Sequence, residues 1–339
     1  MPPAVHQVPF ADPPWLRGAP SPYFNASHRR FQAACRAFVD ENLNKNALDW
    51  ETAEEVPSDL FEVFAKGNFI LPSLPAPLPV EWLRKLGITH MPGQVPVEEW
   101  DTLHTMIYAD EMSRSGLAGP PGSITTGVAF GIPPLLHYAE PQLQERFLPD
   151  LLVGRKRICI AITEPEWVKI SLNESITDLT SSAGSDVANI TTTAKLSGNE
   201  YIINGTKKWI TNGMMADYAS MAVRTGEENS GGKGISLILV PLKDHPGVTR
   251  RRLKVAGQIV AGTSFIELDD VRVPRENLIG RENEGMKYIM HNFNHERMFI
   301  SVGVTRQARV ALSSAFAYCL QRKAFNKVVS EGVLDVVHS

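Results

Sequence analysis

Glu296 is the residue of this chain with the clearest chemical prospect. It stands in Asn292-Phe-Asn-His-Glu-Arg297, where helical spacing aligns it with Ile289, Phe293 and Ile300, so a carboxylate points where apolar side chains point. Partial desolvation there raises a carboxyl pKa toward the range in which a base can both ionise and take a proton. The everyday alternative is a helix-surface glutamate paired with a neighbouring Arg, and Arg297 is adjacent. His291 and His295, four apart, hint at a metal pair. The zinc-protease pattern, however, puts Glu directly after the first His, and here Glu296 follows the second. They read as surface histidines, and no metal site is expected.

A second group of candidates lies between residues 158 and 213. Ile158-Cys-Ile-Ala-Ile-Thr-Glu-Pro165 is an aliphatic strand ending in a hydroxyl, Thr163. Ala183-Gly-Ser-Asp186 is a turn whose N–H groups suit anionic oxygens. Lys208-Trp-Ile-Thr-Asn-Gly213 carries an aromatic plate, Trp209, two residues before a hydroxyl, Thr211. Between them, Asn204-Gly205 predicts a type I′ hairpin turn, which would present Trp209 and Thr211 from one face. Plate and donor side by side suit a flat heteroaromatic ligand.

These residues need elements to hold them. After a Pro-rich opening, Arg29 to Asn42 places Phe31, Ala34, Cys35, Phe38 and Val39 on one helical stripe, and Ser58 is placed as the N-cap of a helix that stops at Gly67. Val97 to Ser113, Thr126 to Tyr138 and Pro141 to Leu148 also carry helical spacing. At Gly154-Arg-Lys-Arg157 the apolar period changes to alternation, and further strands are expected over 218–224, 234–241, 248–253 and 264–273. From Gly285 to about Phe325 the period is helical again. The fold class is α+β: an N-terminal helical domain (1–155), a middle β-barrel or sandwich domain (156–275) and an incomplete C-terminal helix bundle (276–339).

Composition narrows the partners. A chain of 339 residues with net charge −3 has no basic footprint for nucleic acid, and no segment approaches a membrane span. Three cysteines at unrelated spacings argue against a disulfide framework and for a reducing compartment. With no signal or transit pattern at the start, an intracellular location is expected, with peroxisome, mitochondrion and cytoplasm left open.

Together the motifs resemble the acyl-CoA dehydrogenase family, whose middle domain carries Thr-Glu-Pro-x-Ala-Gly-Ser-Asp followed by Trp-Ile-Thr-Asn. Tyr138-Ala-Glu-Pro and Arg146-Phe-Leu-Pro-Asp-Leu-Leu-Val-Gly154 resemble the family's lead-in, and Arg322-Lys-Ala-Phe-Asn-Lys327 a later site. The resemblance implies FAD as cofactor and an acyl-CoA substrate. It implies that the edge formed by Ile160, Ile162 and Thr163, together with Trp209, Ile210 and Thr211, contacts the flavin. Ser185, Asn294 and Arg297 would face the CoA side, with Asn294 standing where many members have Asp. Arg322 and Phe325 would reach the FAD of a neighbouring subunit, implying a homo-oligomer. Glu296 matches the position of the catalytic base in some members.

The implied reaction removes the α-proton of the thioester to a carboxylate while hydride leaves the β-carbon for flavin. The electron acceptor is open. A flavin oxidase of the same superfamily, acting on an acyl-CoA or a nitroalkane, and an inactive remnant are the alternatives. Two departures bear on the last. Residues 166–182 intervene within the Glu-Pro to Ala-Gly-Ser-Asp motif, inside a turn that must hold a ligand closely. After Lys327 the helix-bundle pattern stops, so the last helix is expected to expose an unpartnered apolar stripe.

Overall fold

The computed structural model describes residues 12–165, 184–324 and 327–330. The intervening segment, the residues after Ser330 and Phe325 lie outside these. The N-terminal region is helical: α1 (Ala26–Val39), α2 (Ala47–Ala53), α3 (Leu60–Lys66), α4 (Val80–Lys85), α5 (Thr102–Met112), α6 (Gly119–Gly131), α7 (Pro133–Tyr138) and α8 (Pro141–Leu152). A two-residue pair, β1 (His90–Met91) and β2 (Val95–Pro96), interrupts it before α5. The stripe expected on α1 is the buried one, with Phe31, Cys35 and Val39 fully covered. Ser58 is not a cap: α3 begins after Asp59, and no side chain caps it.

Two helix starts are joined through one carboxylate. Asn25 caps α1 with His28 three residues in, and Asp101 caps α5 with His104 in the matching place. Asp101 accepts the His104 backbone N–H at 3.1 Å and also the His28 imidazole at 3.0 Å. His28, Asp101 and His104 are a constellation of metal-ligand type. Because His28 Nδ1 accepts the Asn25 N–H, its Nε2 carries the proton and donates to Asp101, so capping uses the group.

The middle region is one sheet of eight strands: β3 (Ile158–Ala161), β4 (Thr193–Ser197), β5 (Glu200–Ile210), β6 (Tyr218–Arg224), β7 (Ile235–Pro241), β8 (Val248–Arg252), β9 (Ser264–Pro274) and β10 (Leu278–Ile279). The order is β10-β7-β6-β4-β5-β9-β8, with β3 parallel to β6. Met221 and Ile238 share an apolar cluster with Ile266 and Val271, so the sheet curls around a core of its own. Its other face, through Ala222, Leu237 and Leu239, joins the core of the helices.

The Asn204-Gly205 turn is overturned. The chain runs straight through it inside β5, where the register against β9 slips by a bulge. Asn204 donates to the Asp270 carboxylate (2.9 Å) and accepts the Asp270 N–H (2.8 Å), a pairing between distant strands. The hairpin turn is Gly198-Asn199, between β4 and β5, with Gly198 at φ +61°.

The last element is α9 (Gly285–Gln321), followed by a short pair, β11 (Lys323–Ala324) and β12 (Lys327–Val328). Charge anchors α9 to the N-terminal helices. Arg306, buried, lies 3.3 Å from Asp110, Arg309 bonds the same carboxylate, and beside them Arg36 bonds Glu111 (2.8 Å) and Asp12 (2.9 Å). On its outer side Ile300, Val304, Leu312, Phe316 and Leu320 stand exposed at multiples of four residues, one apolar ridge. Among the described residues no helix is long and apolar enough to cross a membrane.

Candidate functional site

The site grows from the ends of β3 and β5. Thr163 follows β3, half-buried, and its carbonyl accepts the Lys208 N–H at 2.9 Å, so the two predicted flanks are stitched together. Trp209 is 52% exposed and sits at φ +63°, in a second bulge between Lys207 and Ile210. A bulky residue rarely adopts that conformation, and such strain persists where surrounding structure holds it for a purpose. The bulge also ends the simple alternation that was to align Trp209 with Thr211, which stands beyond β5 in a turn. The Lys208 ammonium lies 4.7 Å from the Trp209 ring centroid.

Two residues carry this geometry that the motif reading passed over. Glu164 and Lys207 form an ion pair at 2.7 Å, with side chains 1% and 0% exposed. Glu164 also accepts from the Thr191 N–H and hydroxyl and the Thr192 N–H, and Lys207 donates to the Ile162 carbonyl at 3.0 Å. Burial raises the Glu164 pKa, but Lys207 and the threonine donors outweigh this and lower it. The available signal was Lys207 itself, a lysine at a position of β5 between inward-facing residues.

Asn212 explains the end of the Trp-Ile-Thr-Asn run. Buried at φ +62°, it accepts the Gly127 N–H (2.8 Å) and donates to the Gly122 and Ala261 carbonyls. It thereby ties α6 to the β-domain. Gly127 lets α6 lie directly on β3, since a Cβ there would fall 2.0 Å from the Ile158 oxygen. At the far end of α6 the Phe130 carbonyl accepts from Asn292 of α9 (3.0 Å). A continuous path thus leads from the Thr163 edge through α6 to the helix bearing Glu296.

Glu296 is half-buried, and its Oε2 meets no donor among the described residues. Burial pushes its pKa up, partly offset by Arg297. Of the predicted stripe, Ile289 is buried and Phe293 packs on the core, whereas Ile300 is exposed. His295 is half-buried rather than a free surface histidine, bonded to the Ser73 carbonyl (2.8 Å) against Phe130 and Phe299, because it faces the loop before α4. Asn294 lines a cleft of about 140 Å³ between α7 and α9, with His137, His291 and His295.

Other predicted residues are more scattered. Ser185 is exposed in a turn, Arg297 is exposed on α9, and Ile162 and Ile210 bury their side chains, leaving only backbone to offer. Arg322 ends α9, 26 residues past Glu296, roughly 39 Å along the axis. One chain does not bring Arg322 to Glu296. As a whole, the exposed indole and the clamped Thr163 edge fit a flat ring with polar rim atoms, such as a flavin.

The chain is similar to known proteins along most of its length. Family models for the acyl-CoA dehydrogenase N-terminal, middle and C-terminal domains match residues 25–155, 175–271 and 283–334. The acyl-CoA dehydrogenase apdG of Emericella nidulans is 61% identical over 96% of this chain and 71% of its own length. The crystal structure of an acyl-CoA dehydrogenase from Geobacillus kaustophilus has a TM-score of 0.76 at 28% identity, covering 94% of this chain and 75% of that one. A glutaryl-CoA dehydrogenase from Mycobacterium smegmatis, solved in complex with FADH2, has a TM-score of 0.73 at 26% identity, covering 93% and 70%. With its helical N-terminal region, curled middle sheet and long C-terminal helix, this chain belongs to the acyl-CoA dehydrogenase family of flavin oxidoreductases acting on CH–CH bonds.

Proposed function

We propose that this chain carries out FAD-dependent α,β-dehydrogenation of an acyl-CoA thioester, with Glu296 as the base that takes the α-proton. The observation that carries this reading is the state of Glu296. Two buried carboxylates of this fold are paired with cations, Glu111 with Arg36 and Glu164 with Lys207. Glu296 instead presents a bare oxygen on a part-buried face, with its pKa raised, which is the condition of a proton acceptor in waiting.

Bound FAD supplies the hydride acceptor. The edge around Ile160, Ile162 and Thr163 and the plate of Trp209, Ile210 and Thr211 orient it, while Ser185, Asn294 and Arg297 hold the CoA side. Glu296 receives the α-proton as hydride leaves the β-carbon, giving a trans-2-enoyl thioester. Arg322 and Phe325 serve the FAD of a neighbouring copy, so the working unit is a homo-oligomer; the separation of roughly 39 Å between Arg322 and Glu296 along α9 supports that arrangement. The domains divide at 155/156 and 275/276. The FADH2 in the Mycobacterium smegmatis relative supports FAD here.

An absorbance spectrum tests the reading. Flavin bands that survive desalting and bleach anaerobically on addition of an acyl-CoA are the expected result. A folded, colourless protein that takes up no added FAD overturns it.

A further inference from the structure

Both carbonyls that flank the Thr163 N–Cα–C unit are engaged by β5. The Thr163 carbonyl takes an ordinary backbone bond from Lys208, but the Ile162 carbonyl takes the Lys207 ammonium at 3.0 Å. That ammonium is wholly buried and balanced by Glu164 at 2.7 Å. A well-packed apolar pair of similar volume would join two strands as firmly, without desolvating two charges. The charge therefore has a use beyond packing.

The Ile162–Thr163 peptide group supplies that use. Its oxygen is the one bound to the ammonium, and its N–H is the Thr163 N–H. A cation on an amide oxygen draws electron density through the resonant C–N bond and strengthens the N–H as a donor.

We infer that Lys207, held by Glu164, polarises the Ile162–Thr163 peptide and positions the Thr163 N–H as a strengthened hydrogen-bond donor to acceptor atoms of the bound flavin ring. The flavin part rests on the function proposed above; the polarisation of the peptide does not. Lys207 acts here as a positioning residue, since it reaches the ring through Thr163. Glu164 is the ionisable group acting on Lys207: burial lowers the lysine's pKa, and the carboxylate raises it again in part.

Labelling isoleucine with a 13C carbonyl and threonine with 15N confines the NMR spectrum to Ile–Thr peptides, so the 162–163 group can be followed. Glu164→Gln/Lys207→Met removes both charges and strands neither. In the folded double variant the Thr163 amide proton is expected to move upfield, the flavin absorption bands to shift, and FAD to dissociate about tenfold more readily. A folded double variant with all three unchanged overturns the inference and leaves the pair structural.

Should the double variant not fold, wild type carries the test. As rising pH takes the proton from Lys207, followed at its 13Cε, the Ile162 carbonyl and Thr163 nitrogen are expected to move with the same midpoint; no such co-titration overturns the inference. Co-titration in a wild-type chain that takes up no FAD overturns the flavin reading, and with it the role given to this N–H, separately from the polarisation itself.

Discussion

Replacing Glu296 by Gln keeps volume and hydrogen-bonding capacity but removes the proton acceptor. Positioned acid–base groups contribute about 10²–10⁴-fold, so the barrier to α-proton removal should rise by about 3–5 kcal/mol. The assay is anaerobic stopped flow, reading flavin bleaching after mixing with an acyl-CoA. FAD retention and thioester affinity, measured apart, should stay within about twofold, because the lost interaction belongs to the transition state. Two pH signatures accompany the rate. A base must be ionised, so wild-type bleaching rises with pH through the raised pKa of Glu296, whereas the residual rate of Glu296→Gln is flat. Stability runs the other way. The folded state binds this proton more tightly than the unfolded, so its stabilising contribution is complete below the ordinary glutamate pKa and lost as pH rises through the raised one. Glu296→Gln should therefore melt at or above the wild-type temperature at mildly alkaline pH, and the difference should disappear in acid. Wild-type bleaching by Glu296→Gln would refute the reasoning from burial and move the base elsewhere.

Gly127→Ala places a carbon 2.0 Å from the Ile158 oxygen, which should cost about 1–3 kcal/mol in denaturant unfolding; an unchanged midpoint would mean α6 can lift off β3 freely. Lys207→Met alone leaves Glu164 buried and unpaired, at a cost of about 3–5 kcal/mol, while Glu164→Gln/Lys207→Met should cost far less than the sum of the singles; additive losses would show the two are not coupled. Because the folded pKa of Glu164 is lowered, its stabilising contribution is present above the ordinary glutamate range and lost as pH falls through the lowered value, a trend that acid melts of Glu164→Gln should lack. Asp101→Ala removes the cap of α5 and the acceptor for His28, so thermal unfolding at neutral pH should show about 1–2 kcal/mol less stability, and no change would mean neither helix start relies on it.

Local pattern carried far in this chain. The stripe of α1, the strands β6 to β9 and the long α9 follow from periods that short windows contain, and the motifs around Thr163 and Trp209 name their own loops. Apart from the local shift at Ser58, the misreadings share one cause, which is a partner far along the chain. Asn204-Gly205 and Gly198-Asn199 are both plausible turn dipeptides, and what keeps Asn204 in a strand is Asp270, sixty-six residues on. Lys207 is buried because Glu164, forty-three residues back, meets it. His295 turns inward to the carbonyl of Ser73. Trp209 is held at positive φ by a bulge that depends on β9, which no alternation within β5 could announce.

The bulge at Asn204 also governs how this protein ages. An asparagine followed by glycine is the peptide link most open to deamidation, since the glycine nitrogen meets little obstruction as it attacks the side-chain carbonyl. Here that side chain is pinned at both ends by Asp270, and Gly205 is pressed against Thr192. The swing toward the next nitrogen requires both bonds to break. Loss of ammonia at Asn204 thus records time spent unfolded rather than time elapsed, and peptide mass spectra of samples held folded and denatured at one temperature should differ in rate at this site. Because the change puts a carboxylate beside Asp270, each such event also makes the next refolding harder.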